Sequence, residues 1–156
     1  IIGEIPYKKD DKYIQNNDRS ILAEAYRNVR TNINYLLPAL NKKEGYVIFS
    51  TSSIKGEGKT FNAINMALIM TQMKKKVLII GADLRNPQIH TFTSRDKNST
   101  GLSSYLHDTN LKWQDLLING FKDHATHDSH RCCKLCVARP TRVLNAIATV
   151  CVYCAA

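Results

Sequence analysis

No cysteine occurs in residues 1–131, and no aspartate or glutamate follows Asp128. The first absence excludes a disulfide framework or a cysteine metal site from most of the chain. The second, together with five cysteines crowded into the last 25 residues (Cys132, Cys133, Cys136, Cys151 and Cys154), marks a break in composition. No apolar run is long enough to span a bilayer. The longest apolar-rich stretch, Val143 to Ala156, is too short and contains Asn145 and Thr149. No signal peptide is visible and the sequence does not begin with methionine; the opening "IIGEIPY" reads as the middle of something, and a fragment or a processed segment is expected. No internal repeat is found.

What remains is the size of one domain. The chain has 156 residues, 44% hydrophobic and 22% charged, ordinary values for a soluble globular protein. Its formal net charge is +9. Residues 1–130 hold 18 Lys/Arg against 13 Asp/Glu, and residues 131–156 add Arg131, Lys134, Arg139 and Arg142 with no acid. Apart from Lys74, Lys75 and Lys76 the charges are scattered, as on a solvated surface, so no nucleic-acid partner is expected.

Along the chain, residues 8–19 are polar and read as a linker. Leu22, Ala25, Val29, Ile33 and Leu36 then recur at helical spacing, with Asp18 or Ser20 as the cap and Pro38 closing the run. "GYVIFST" (residues 45–51) reads as a buried strand, residues 59–73 as a helix, and "KVLIIGA" (residues 76–82) as a second buried strand. Two continuous apolar strands around a helix predict a βαβ unit in a parallel sheet covered on both faces. Short helices are expected near residues 102–106 and 110–118. Beyond Gly120 the periodicity weakens.

Between the first strand and its helix lies "SSIKGEGKTFNA" (residues 52–63). A phosphate loop of the Walker A type reads G-x-x-x-x-G-K-[ST], and Ser53 stands at the first glycine. The physics asks for glycines where backbone amides converge on phosphate oxygens, here Gly56 and Gly58, with Glu57 between them. It asks for a lysine to reach the β and γ phosphates, Lys59, and for a hydroxyl to bind Mg²⁺, Thr60. The strand-to-helix context supplies a helix N-terminus that favours anions. Asp83, just past the second strand, falls at the sheet edge where ligands bind in such folds, and a carboxylate there can hold Mg²⁺ or polarise a nucleophile.

The loop S-x-x-x-G-E-G-K-T followed by a strand ending in D-L-R-N-P resembles the cytoplasmic kinase domain of the bacterial tyrosine kinases, the polysaccharide co-polymerases that regulate capsule and exopolysaccharide export. The resemblance covers about residues 1–120. It implies an α/β fold of the P-loop group, three-layer α/β/α with a mainly parallel sheet. It also implies ATP and Mg²⁺ as cofactors, and autophosphorylation on tyrosine. In the family's second motif, three apolar residues and D-x-D-x-R, the matching positions are Leu78-Ile79-Ile80 and then Gly81, Asp83 and Arg85. Asp83 and Arg85 match, and with Lys59 they are the implied catalytic residues. Gly81 stands where the family has its first aspartate, a candidate base. The family's E-x-x-R-x-x-R motif, which joins subunits into a ring, is Glu24, Arg27 and Arg30. A membrane-spanning co-polymerase segment, upstream or in trans, and the cytoplasmic face of the bacterial inner membrane are implied as partner and location. A further strand ending in Asp is absent after residue 120, and of the family's tyrosine cluster only Tyr153 is present. The sheet is therefore expected to be incomplete at the C-terminus.

For residues 121–156 three readings stand: an altered or frame-shifted end, a zinc site, or disulfides. Cys133-x2-Cys136 and Cys151-x2-Cys154 approximate a zinc-ribbon spacing, with His124, His127 and His130 upstream, though the usual turn glycines are missing. Two other functional readings are a non-catalytic nucleotide-binding or oligomerisation fragment, and a partition-type P-loop ATPase. The latter carries an extra lysine at the loop's second position, which here is Ile54.

Overall fold

The computed structural model describes residues 1–7, 12–36, 46–54, 56–73, 76–83, 87–92, 99–119, 133–136 and 150–155, with the backbone alone for 119 and the last two segments. In chain order the elements are α1 (Ile21–Leu36), β1 (Tyr46–Ser50), α2 (Lys59–Thr71), β2 (Lys76–Gly81), α3 (Leu102–His107), β3 (Ile118–Asn119), β4 (Cys133–Cys136) and β5 (Val150–Ala155). Short 3₁₀ turns lie at Ile89–Phe92 and Trp113–Leu116. The helix expected over residues 110–118 is thus a turn and a strand. Leu117 is already extended, and Ile118 pairs with Leu135, so a tertiary pairing prevails over local helical spacing.

The sheet order is β1-β5-β2-β4-β3. β5 runs antiparallel to both β1 and β2, β3 runs antiparallel to β4, and only β2 and β4 are parallel. The expected mainly parallel sheet is therefore corrected to a mixed one. β1 and β2 do point the same way, as a βαβ unit requires, but they are not neighbours. β5, with two valines and a tyrosine among its six residues, occupies the slot between them. The register brings Ser50, Val150 and Gly81 into one row, so the ends of β1 and β2 leave the same sheet edge.

The core forms around α2. Nine consecutive residues, Ala63 to Thr71, are buried. A helix buried all round needs cover on both sides. The sheet covers one side and α1 the other. α1 presents Leu22, Ala23 and Tyr26 to it, with Val29 and Ile33 packed behind. Of the expected stripe, Leu36 is exposed instead, and Ala23 and Tyr26 are the additions. Of the two candidate caps Ser20 is the one used, with Ala23 N–H donating to its Oγ (3.2 Å), while Asp18 Oδ1 accepts from the N–H of Ser20 itself (2.7 Å). On the far face of β1, Val47 and Phe49 are exposed.

The segment read as a linker docks on α2 in its described part. Ile14 is buried, and its N–H donates to Asn65 Oδ1 (2.9 Å), while Asn65 Nδ2 donates to the Phe61 carbonyl (3.0 Å). Tyr13 packs between Phe61 and Phe92, with ring centroids 5.3 and 4.9 Å away. Two apolar residues and one buried amide suffice to fix the segment.

Tyr26 donates its hydroxyl to Asn62 Oδ1. Burial pushes the phenol's pKa well above its ordinary value of about 10. The unfolded chain ionises first, so this contribution to stability is complete below about pH 10 and is lost as pH rises beyond it. Tyr26→Phe is expected to flatten the alkaline fall in stability and to cost about 1 kcal/mol at neutral pH, measured by urea unfolding across pH.

Candidate phosphate-binding site

The loop between β1 and α2 has the backbone that its glycines permit. Gly56 (φ 93°) and Gly58 (φ 80°) both lie in the left-handed region, where a side chain would be strained. Gly58 is also the residue from which α2 starts, and no side chain caps that end. The first-turn amides of α2 are thus turned toward the loop with the positive end of the helix dipole behind them.

Lys59 is the first residue of α2 and ties the loop's neck. Its carbonyl accepts from Ser50 Oγ (3.2 Å), and its ammonium donates to Ser52 Oγ (2.8 Å). Ser52 Oγ donates in turn to the Ile54 carbonyl (2.9 Å), and Ile54 N–H donates to Glu57 Oε2 (3.2 Å). Ser53 and Glu57 are exposed, and Thr60 is half-buried in the first turn of α2. Asp83 is half-buried two residues beyond β2. One strand separates Ser50 from Gly81, so the two ends lie about 10 Å apart along one edge. Arg85 lies outside the described residues.

Gly81, at the position of the family's first aspartate, is buried. A Cβ built there would meet Ile89 Cδ1 at 3.0 Å. Ile89, itself buried in the core, has taken the space a longer side chain would need.

Glu24 and Arg27 share one fate, and Arg30 meets another. Glu24 and Arg27 pair with each other, and Arg27 also donates to the Asp18 carbonyl. Arg30 turns inward and donates to the Ile69 carbonyl (3.2 Å) in the last turn of α2. Met73 N–H bonds Met70 instead of Ile69, so the guanidinium serves a carbonyl at the negative end of the helix. Burial, and then the Arg27 charge, lower the Arg30 pKa, while Glu24 opposes this. Arg30→Ala is expected to cost about 1–3 kcal/mol by urea unfolding, because a buried carbonyl loses a charged donor. Arg27→Ala should cost less than about 1 kcal/mol, since Glu24 is exposed.

The cysteine tail does not form the ribbon its spacing suggested. β2 runs between β4 and β5, with Val77 in register between Cys133 and Cys154, and Ile80 between Cys136 and Cys151. Backbones two strands apart, or three residues apart along one strand, are separated by about 10 Å. Disulfides need Cα atoms within about 7 Å, and a zinc ion needs all four ligands on one centre. This backbone therefore corrects both readings for Cys133, Cys136, Cys151 and Cys154. No metal-binding cluster occurs among the described residues. Cys132, His124, His127 and His130 lie outside them.

Ser50, Ser52, Asn62, Asn65 and Tyr26 were not anticipated as contributors. The two asparagines had a signal, polar residues three apart within an apolar helix. The serines had none beyond their place on the strand that enters the loop.

Helices and strands with a glycine loop between β1 and α2 define the class, an α/β protein. The kinase domain of Escherichia coli tyrosine kinase ETK has this fold: it superposes with a TM-score of 0.64 at 19% identity, over 93% of this chain and 57% of that one. Among curated proteins, the tyrosine-protein kinase YwqD of Bacillus subtilis (strain 168) is 41% identical over 88 residues, 56% of this chain and 35% of YwqD. The tyrosine-protein kinase Wzc of Salmonella typhi is 30% identical over 100 residues, 64% of this chain and 13% of Wzc. No family model matches. Over part of its length, then, the chain is similar to bacterial tyrosine-protein kinases, and it spans only about a third of YwqD. No helix among the described residues is long and apolar enough to cross a membrane.

Proposed function

We propose that the chain is an ATP-binding, autophosphorylating protein-tyrosine kinase domain of the P-loop group, with residues 1–120 as the kinase-like part and residues 121–156 as an altered tail. The reading takes the three-layer α/β/α arrangement of that group as its frame. The observation that carries it is the loop itself: two left-handed glycines leading into a helix whose first residue is Lys59. In this reading the amides of residues 56–60 cradle the phosphates, with Ser53 at the loop's entry, and Lys59 stabilises charge on the transferred γ-phosphoryl group.

Thr60 and Asp83 offer hard oxygen donors at one sheet edge, a set that fits Mg²⁺. When bound, the ion would neutralise charge on the β and γ phosphates. Asp83 also accepts the proton of the attacking tyrosine hydroxyl, since Gly81 has no group to do so. Arg85, which matches the family's motif, is the third catalytic residue of this reading. The γ-phosphorus–oxygen bond to ADP breaks as the bond to the tyrosine oxygen forms. Self-association uses the exposed Glu24–Arg27 pair with Arg30 behind it. A membrane-spanning co-polymerase segment, upstream or in trans, places the domain at the cytoplasmic face of the bacterial inner membrane, regulating capsular or exopolysaccharide export.

One observation favours a second reading, a nucleotide-binding or oligomerisation fragment without transfer activity: the base position is glycine and Ile89 closes over it. Incubation with γ-labelled Mg·ATP separates the two. Labelling on tyrosine that is lost in Lys59→Ala supports the kinase. Binding without labelling supports the fragment. The partition-type ATPase is disfavoured by Ile54 in place of lysine.

A further inference from the structure

We propose that Ser52, which lies outside the phosphate-loop pattern, is the positioning residue that presets the Lys59 ammonium for the phosphates. The inference rests on the nucleotide-binding reading. Three contacts carry it. Lys59 Nζ donates to Ser52 Oγ at 2.8 Å, Ser52 Oγ donates to the Ile54 carbonyl at 2.9 Å, and Ile54 N–H donates to Glu57 Oε2 at 3.2 Å. The backbone of Ile54 is therefore held at both its polar atoms, one in each of the two peptide groups that flank its Cα. The hydroxyl that holds its carbonyl is the same one that receives the lysine.

A serine hydroxyl has one proton and two lone pairs, so both of its contacts are compatible. An ammonium has three protons. With one on Ser52, two remain for phosphate oxygens, and the contact need not break when a nucleotide arrives. A free lysine side chain loses about 2 kcal/mol of rotamer entropy on being fixed. Ser52 removes part of that cost before binding, because both partners are half-buried and the backbone on either side is tied at Ser50 and Ile54. Glu57 completes the brace from the loop's crest. There its amide oxygen in a Glu57→Gln variant could accept the same bond.

The test is Mg·ATP affinity by calorimetric titration on the full chain. Ser52→Ala is expected to weaken binding about tenfold at most, because the lysine's rotamer freedom is then lost on binding instead of beforehand. Ser52→Cys, close in shape but a weak acceptor, should behave likewise, and Ser52→Thr, which keeps the hydroxyl, should restore most of the affinity. The deciding measurement is Ser52→Ala in a Lys59→Ala background, followed by NMR titration, which reaches weak binding. A residue acting through Lys59 has no effect there, whereas a general structural role persists. Unchanged affinity in Ser52→Ala, or an equal loss in both backgrounds, overturns the proposal. A wild-type chain that does not bind Mg·ATP overturns the nucleotide reading itself, a separate result.

Discussion

Lys59→Ala is expected to lower Mg·ATP affinity about a hundredfold or more and to leave the chain as stable as before, or slightly more so. The two halves of that expectation come from different physics. A lysine that meets phosphate oxygens through charge-assisted hydrogen bonds contributes about 3 kcal/mol, which is the hundredfold. Yet Lys59 is the first residue of α2, where the positive end of the helix dipole makes a cation unfavourable by a few tenths of a kcal/mol. No acidic residue lies in that first turn to offset it. Its bond to Ser52 returns about as much. Folding therefore gives no reason for a lysine there, and anion binding does. Titration calorimetry and urea unfolding on the same variant check both halves. A substitution that lowers stability by more than about 1 kcal/mol would mean that Lys59 serves the fold.

How much of this was visible in the chain depended on the distance over which each feature is determined. The phosphate loop is local: eight residues specify its glycines, its lysine and its hydroxyl, and the flanking strand and helix were legible from apolar runs of ordinary length. α1 and its cap were legible for the same reason. What was not legible depends on partners far away in sequence. β5 enters the slot between β1 and β2 from about a hundred residues downstream, and nothing in "VCVYCA" specifies direction or neighbour. The cysteine spacing pointed to one cluster because spacing counts residues along the chain, whereas β2 keeps the two pairs two strands apart. Arg30 shows the same limit on a smaller scale. Its motif implied an outward role shared with Glu24 and Arg27, but a carbonyl on α2 captured its guanidinium. Ile14 is the converse: it lies in a polar stretch, and the buried Asn65 amide gave its backbone a partner there.

The position where the chain departs furthest from the tyrosine-kinase pattern allows the largest structural effect. Gly81→Asp, which restores the family's first carboxylate, is expected to cost about 3–5 kcal/mol and to leave activity no higher. Gly81 is buried and stands in register with Val150, and the added Cβ would lie 3.0 Å from Ile89 Cδ1. That carbon is the end of a side chain that can shift, so contact alone is a modest cost; the larger one is a carboxylate among buried apolar neighbours. Burial would raise the carboxyl's folded pKa above its unfolded value of about 3.9. The penalty is therefore full above the folded pKa and shrinks as pH falls toward the unfolded one. Urea unfolding of wild type and variant should accordingly give a gap that narrows with acidification. Adding Ile89→Ala relieves the steric part and admits water, and the double variant should be less destabilised than the two single costs combined. If Gly81→Asp alone left stability unchanged and raised tyrosine labelling, the site would have kept room for the second carboxylate, and the glycine would be a loss of the base alone, with the surrounding fold still built to receive it.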